Sequence, residues 1–170
     1  MTAAAQLGLC LLAGVALCIF GGSRKDTDFY IPALQGLATV TSLNFIKNVS
    51  DANLMYEFLL GGLVIDDDDN IYMLDEEMAS MRKGKVFITL LNDYVPKTVI
   101  TMERMLAALP YQEKPLELFR FETLVLGTVY SAYQMRRQHL EHPQKAWGGL
   151  LVRLVNATLV DLRRRARRSG

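Results

Sequence analysis

The chain has 170 residues, of which 51% are hydrophobic and 22% charged, with 19 Lys and Arg against 18 Asp and Glu. That composition excludes a wholly disordered chain, which needs fewer apolar residues and a large net charge. A net charge of +1 supplies no general phosphate-attracting field, so no specific nucleic-acid partner is expected.

In chain order, the first charged side chain is Arg24, and Leu7 to Phe20 forms an apolar run before it. A bilayer span needs roughly 17 to 25 apolar residues, whereas a shorter core suits a signal peptide. Small residues follow the run. Cleavage after Ser23 places Gly21 and Ser23 at the two specificity positions of a signal peptidase, and cleavage after Cys18 places Ala16 and Cys18 there. Residues 1–23 are read as a signal peptide and the protein as secreted. The alternative is a membrane-anchored endomembrane or cytoplasmic protein held by an uncleaved N-terminal segment, in the secretory pathway. Met1 to Gln6 carries no Lys or Arg, and Arg24 and Lys25 beyond the run favour keeping the body of the protein cytoplasmic. Cys10 and Cys18 are the only cysteines, so cleavage after Ser23 removes both. No disulfide framework or thiolate metal site would then be available.

Residues 24–49 read as an N-terminal arm, extended at Phe29 to Pro32 because Pro32 restricts the residue before it. Ser50 is the expected cap of the first helix, with Asp51 complementing its dipole. Leu54 to Ile65 is almost wholly apolar, which predicts a central buried helix, closely packed or ending early at Gly61-Gly62. Asp66 to Asn70 is an acidic turn. Asp75 then caps a short helix, with Glu76 and Glu77 in its first turn and Arg82, Lys83 and Lys85 towards its end. Val95-Pro96 breaks that helix, and Pro96 suits the first turn of another running to about Leu109. A long helix follows from about Leu116 to Leu140, with Leu118, Phe121, Val125, Ala132 and Met135 on one side. His142-Pro143 interrupts it. The last helix, from about Gln144 to Arg167, presents Trp147, Leu151, Leu154, Thr158 and Leu162 on one face, with Asn156 opposite. The fold class is all-α: an irregular bundle of five to six helices over residues 50–170, preceded by the signal helix and the arm.

The stretch Leu54-Met55-Tyr56-Glu57-Phe58-Leu59-Leu60 resembles the family with sequence similarity 180. The likeness continues through Asp75-Glu76-Glu77-Met78-Ala79-Ser80-Met81-Arg82-Lys83 and Val95-Pro96-Lys97, and more loosely across the last two helices. The chain is more similar to the B-type member than to the A-type, from which the acidic run Asp66 to Asp69 departs. The resemblance implies a small secreted protein and offers no catalytic residues to carry over.

Candidate chemistry is sparse. With Asp66 as position one, Asp68, Asn70 and Glu77 fall at EF-hand ligand positions three, five and twelve. Ile71 replaces the turn glycine and Leu74 supplies no side-chain oxygen, so a solvated acidic turn is the expected outcome. Glu57 is the only charged residue between Ala52 and Ile65, and burial would suit it to proton transfer. No spacing identifies partners for it, so a carboxylate at the helix edge is expected. His139 and His142 lack a defined third metal ligand. Phosphate-loop, nucleophile-elbow and zinc-protease motifs are absent from the sequence. No enzyme, cofactor or metal is expected.

Two features suit a secreted binding protein instead. Arg163, Arg164, Arg165, Arg167 and Arg168 form a basic cluster that complements the dipole of the last helix and could bind glycosaminoglycan. Asn48-Val49-Ser50 and Asn156-Ala157-Thr158 are glycosylation sequons. The expected role is interaction with a protein partner through an apolar groove, or with a polyanion through those arginines.

Overall fold

The computed structural model describes residues 44–109 and 114–169. The segment read as a signal peptide and the arm up to residue 43 lie outside the described residues. Six α-helices and one hairpin are found among them: α1 (Val49–Gly61), β1 (Leu63–Ile65), β2 (Ile71–Met73), α2 (Glu76–Ser80), α3 (Arg82–Thr89), α4 (Val99–Ala107), α5 (Leu118–Arg137) and α6 (Glu141–Ser169). A π-helical turn, Leu90–Tyr94, continues α3. The architecture is an all-α irregular bundle, as the apolar periodicity predicts.

The first helix differs from expectation in its start and its burial, and of the two outcomes expected at the glycine pair it takes the early end. Asn48 rather than Ser50 caps it, its Oδ1 accepting from the Asp51 N–H at 3.0 Å. Gly62, at φ 95°, takes a conformation that side chains resist, and this ends the helix. Leu63 to Ile65, expected to be helical, is instead a strand. It pairs antiparallel with β2 in the register Leu63↔Met73, Val64↔Tyr72 and Ile65↔Ile71. Such a short apolar run carries no period of its own, so pairing across the turn decides its conformation. Asn92 clamps the hairpin to the π-turn: its amide accepts from the Ile71 N–H at 2.8 Å and donates to the Ile71 carbonyl at 3.0 Å. Helix α1 buries Ala52, Met55 and Phe58 but leaves Leu60 exposed, so it lies at the side of the core.

The central helix is α5. Phe121, Glu122 and Leu124 to Ala132 are buried in a nearly continuous run rather than on one side only. Helix α6 runs antiparallel beside it, bringing Trp147 to Tyr130 at 5.9 Å and Arg165 over the Phe121 ring at 4.3 Å. On α6 the expected face holds: Trp147, Leu154, Thr158 and Leu162 are buried, Leu151 is half-buried, and Leu150 and Asp161 join them. A second centre is aromatic. Phe45, Phe58 and Phe87 meet with ring centroids 5.4–6.1 Å apart, so the core takes in Phe45 and Ile46 ahead of α1.

Three breaks fall elsewhere than expected. Asp75 does cap a helix, accepting from the Met78 N–H, but that helix stops at Ser80 and Met81 turns the chain out of it. Arg82, Lys83 and Lys85 consequently open α3 instead of closing α2. The two helices meet at Gly84, where a Cβ would collide with the Met78 carbonyl oxygen. Helix α4 starts after Thr98, whose capping box with Thr101 supersedes Pro96 as the start signal. Pro143 breaks nothing. It sits in the first turn of α6, where its missing N–H has no acceptor to lose. The link between α5 and α6 is 138–140, so His142 is helical and His139 is not.

Candidate functional site

The acidic turn is built as a hairpin loop. Asp66 accepts from the Asp68 and Asn70 N–H groups at 2.9 and 2.8 Å and from the Asn70 amide at 3.1 Å. Burial pushes the Asp66 carboxyl upward, but these hydrogen bonds outweigh it and hold the group below its ordinary value. Asp69 takes the left-handed conformation, φ 61°, and turns its carboxylate inward to Gln134 Nε2 at 2.6 Å and Arg137 Nη1 at 3.6 Å. Glu77 lies apart, exposed on α2. The turn thus docks the hairpin onto α5 and does not assemble the four EF-hand positions. Glu57 is exposed on α1, so the burial that would fit it for proton transfer is missing. His139 and His142 are exposed.

Beside the turn lies a polar network that the sequence did not announce. Gln134, 4% exposed, donates to the Tyr130 hydroxyl at 2.6 Å. Lys97 Nζ donates to the Leu91 carbonyl at 2.6 Å and stands 4.7 Å from the Tyr130 ring centroid. Burial lowers the Lys97 ammonium to about 8, against the attraction of Asp69 and Asp93. Burial likewise pushes the Tyr130 hydroxyl up to about 12. Each polar group here is answered by another, so the network fastens the π-turn, the segment ahead of α4, the hairpin and α5 together.

A buried acid, Glu122, was also missed. It is 1% exposed on α5 and accepts from the Ile46 and Phe45 N–H groups at 2.7 and 3.0 Å. Burial raises its carboxyl to about 7, although the two N–H donors and Lys83 pull the other way. Lys83 completes the clasp by donating to the Phe45 carbonyl at 3.0 Å and pairing with Asp51 at 2.8 Å. Burial works against the Asp51 charge as well, yet Lys83 and the Lys47 N–H hold its carboxyl below the ordinary value. Only the uninterrupted apolar frame at i±3 and i±4 around Glu122 (Leu118, Phe119, Val125, Leu126) could have signalled its burial.

Next to this clasp, Lys47, Arg82, Lys83 and Lys85 converge on one cleft between α1 and α3. Asn48 lines the same cleft. Its Oδ1 holds the α1 cap, and Nδ2 is the atom a glycan would take. Asn156 is exposed on α6, opposite the buried face as expected, and borders a shallow cavity of about 390 Å³ with Leu109, Leu116 and Arg164.

The five C-terminal arginines divide. Arg165 turns inward, donating to Asp161 Oδ2 at 2.7 Å and to the Leu116 carbonyl at 2.6 Å. Arg163, Arg167 and Arg168 are exposed and Arg164 is half-buried. At about 100° per residue these four fall within an arc of about 140° on α6. Asp161 is the only acidic residue after Glu141, and Arg165 already occupies it.

Comparison with known proteins gives two positive findings. The model of the FAM180 family matches residues 33–162. The chain is 27% identical over 164 residues to Protein FAM180B of Homo sapiens, an alignment covering 95% of this chain and 87% of that protein. No solved structure matches. The family match spans the aromatic centre, the Glu122 clasp and the Lys97 network, and stops just before Arg163.

Proposed function

From the premise that the chain belongs to the FAM180 family, we propose that it is a small secreted helical protein that acts by binding rather than catalysis. Its C-terminal arginine face engages a sulfated polysaccharide of the glycosaminoglycan class. The observation that carries this reading is the division of the arginines. One is tied to Asp161, while Arg163, Arg164, Arg167 and Arg168 share one arc, exposed except for the half-buried Arg164, and have no acidic partner among the described residues. Closely spaced cations of this kind attract a polyanion over about one Debye length, roughly 8 Å in physiological salt. Secretion is supported by the short apolar run ahead of Arg24 and by the absence of cysteine after Cys18. Among the described residues, no helix is long and apolar enough to cross a membrane.

The test is heparin chromatography of the full-length protein collected from culture medium, with its N-terminus determined. Wild type is expected to begin between residues 19 and 24 and to be retained at about 0.15 M salt. Replacing Arg163, Arg164, Arg167 and Arg168 with Gln, and leaving Arg165 in place, should abolish retention without changing the far-ultraviolet spectrum. Retention of that variant at wild-type salt would overturn the polysaccharide reading. Material found only in the membrane fraction with residues 1–22 attached would replace secretion with an anchor.

A further inference from the structure

We propose that the cleft between α1 and α3 binds a small organic phosphate or sulfate monoester, with its anionic group held by Lys47, Arg82 and Lys85 and its apolar body lying along Val86, Leu90 and Tyr94. The cleft has a volume of about 690 Å³, within the range of roughly 300–1,000 Å³ usual for small-molecule sites. Its charge is one-sided. Four cations line it against the single carboxylate of Asp51, and that carboxylate is already paired with Lys83. The side-chain cations of Lys47, Arg82 and Lys85 have no hydrogen-bond or ion-pair partner among the described residues.

Placement sharpens the argument. Arg82 and Lys85 occupy the first turn of α3, where the helix dipole is already positive, and Met81 offers no side-chain oxygen to cap that turn. Cations so placed oppose both the dipole and one another, and a bound anion reverses the sign of each of those interactions. A tetrahedral oxyanion suits the set, because a guanidinium binds phosphate or sulfate through paired N–H groups while ammonium groups add point charge. The other half of the cleft is apolar and fixed. Leu90 forms a buried floor, while Val86 and Tyr94 remain 40% and 39% exposed. The Tyr94 ring is held edge-on to Phe119, centroids 5.2 Å apart at 88°, which steadies it for contact with an aromatic or aliphatic group. A bare ion would leave this wall uncovered.

Calorimetric titration of the full-length chain tests the proposal, with naphthyl phosphate, naphthyl sulfate, inorganic phosphate and naphthol as probes. At least one ester is expected to bind, with inorganic phosphate and naphthol each weaker by about tenfold or more, equivalent to about 1.4 kcal/mol. The exposed pair Arg82→Gln and Lys85→Gln should weaken the ester by about tenfold or more while leaving the melting temperature within about 2 °C. Three results would overturn the proposal: equal affinity for inorganic phosphate, unchanged affinity in the double variant, or binding to phosphoinositide vesicles with none to the soluble esters. The site does not depend on the C-terminal arginines. Their Gln variant should bind the ester normally, so the two readings fail separately.

Discussion

Replacing Glu122 with Ala is expected to destabilise the protein by about 3 kcal/mol. Its two oxygens accept the Phe45 and Ile46 N–H groups, and truncation leaves both donors buried without acceptors. Each such donor costs about 1–3 kcal/mol, partly offset by removing a charge that burial disfavours. The aromatic centre should loosen with it, because Phe45 packs against both Phe58 and Phe87. Urea denaturation measures the loss, and amide exchange at residues 45 and 46 locates it. If exchange there stays as slow as in wild type, the clasp does not hold the segment.

The same group predicts a pH dependence of definite sign. Its carboxyl is raised from 4.5 to about 7 in the folded chain, so between those values the folded state binds more protons than the unfolded. The stability it contributes is fully present below pH 4.5 and is lost as pH rises through about 7. The span corresponds to about 3 kcal/mol. Glu122→Gln keeps the shape and cannot titrate, so its stability curve should lack this slope. Parallel wild-type and Gln curves between pH 4.5 and 8 would refute the assignment.

Asp161→Ala is expected to be the more severe change, at about 4 kcal/mol. Asp161 is 1% exposed, accepts from the Leu116 N–H at 2.6 Å and pairs with Arg165 at 2.7 Å. Removing it takes the counter-charge from a largely buried guanidinium above the Phe121 ring, leaves the Leu116 N–H without its acceptor, and loosens the chain where it enters α5. Unpairing one member of a buried ion pair costs about 3–5 kcal/mol. For a domain of this size the melting temperature should fall by about 15 °C. Arg164→Gln is the matching control, since the neighbouring arginine has no such partner among the described residues, and it should shift the midpoint by less than about 2 °C. Equal effects from the two substitutions would mean that the Asp161 pair does not anchor α6.

The sequence made the long helices legible because Trp147, Leu154, Thr158 and Leu162 repeat at helical spacing over several turns. It misplaced shorter elements for local reasons. Leu63 to Ile65 is too brief to show a period, and its strand conformation depends on Ile71 to Met73 beyond the turn. Arg82, Lys83 and Lys85 look like the basic end of one helix until Met81 divides it. The C-terminal arginines were visible as a group, but only the position of Asp161 one turn earlier separates Arg165 from the rest. The cleft was invisible, because Lys47 and Lys85 come to line it only once the Phe58–Phe87 and Asp51–Lys83 contacts bring α1 and α3 together.

Asn48 carries a consequence for anyone mapping carbohydrate on this protein. The usual removal of a sequon, Asn to Gln, would here also carry the oxygen that caps α1 one methylene away from its place, and cap loss costs about 1 kcal/mol. A fall in yield would then be credited to the missing sugar when a frayed helix end had caused it. Ser50→Ala abolishes the same sequon through an exposed residue and leaves the Asn48 oxygen on the Asp51 N–H. Only the pair of substitutions, compared side by side, separates the work of the amide oxygen from that of the amide nitrogen.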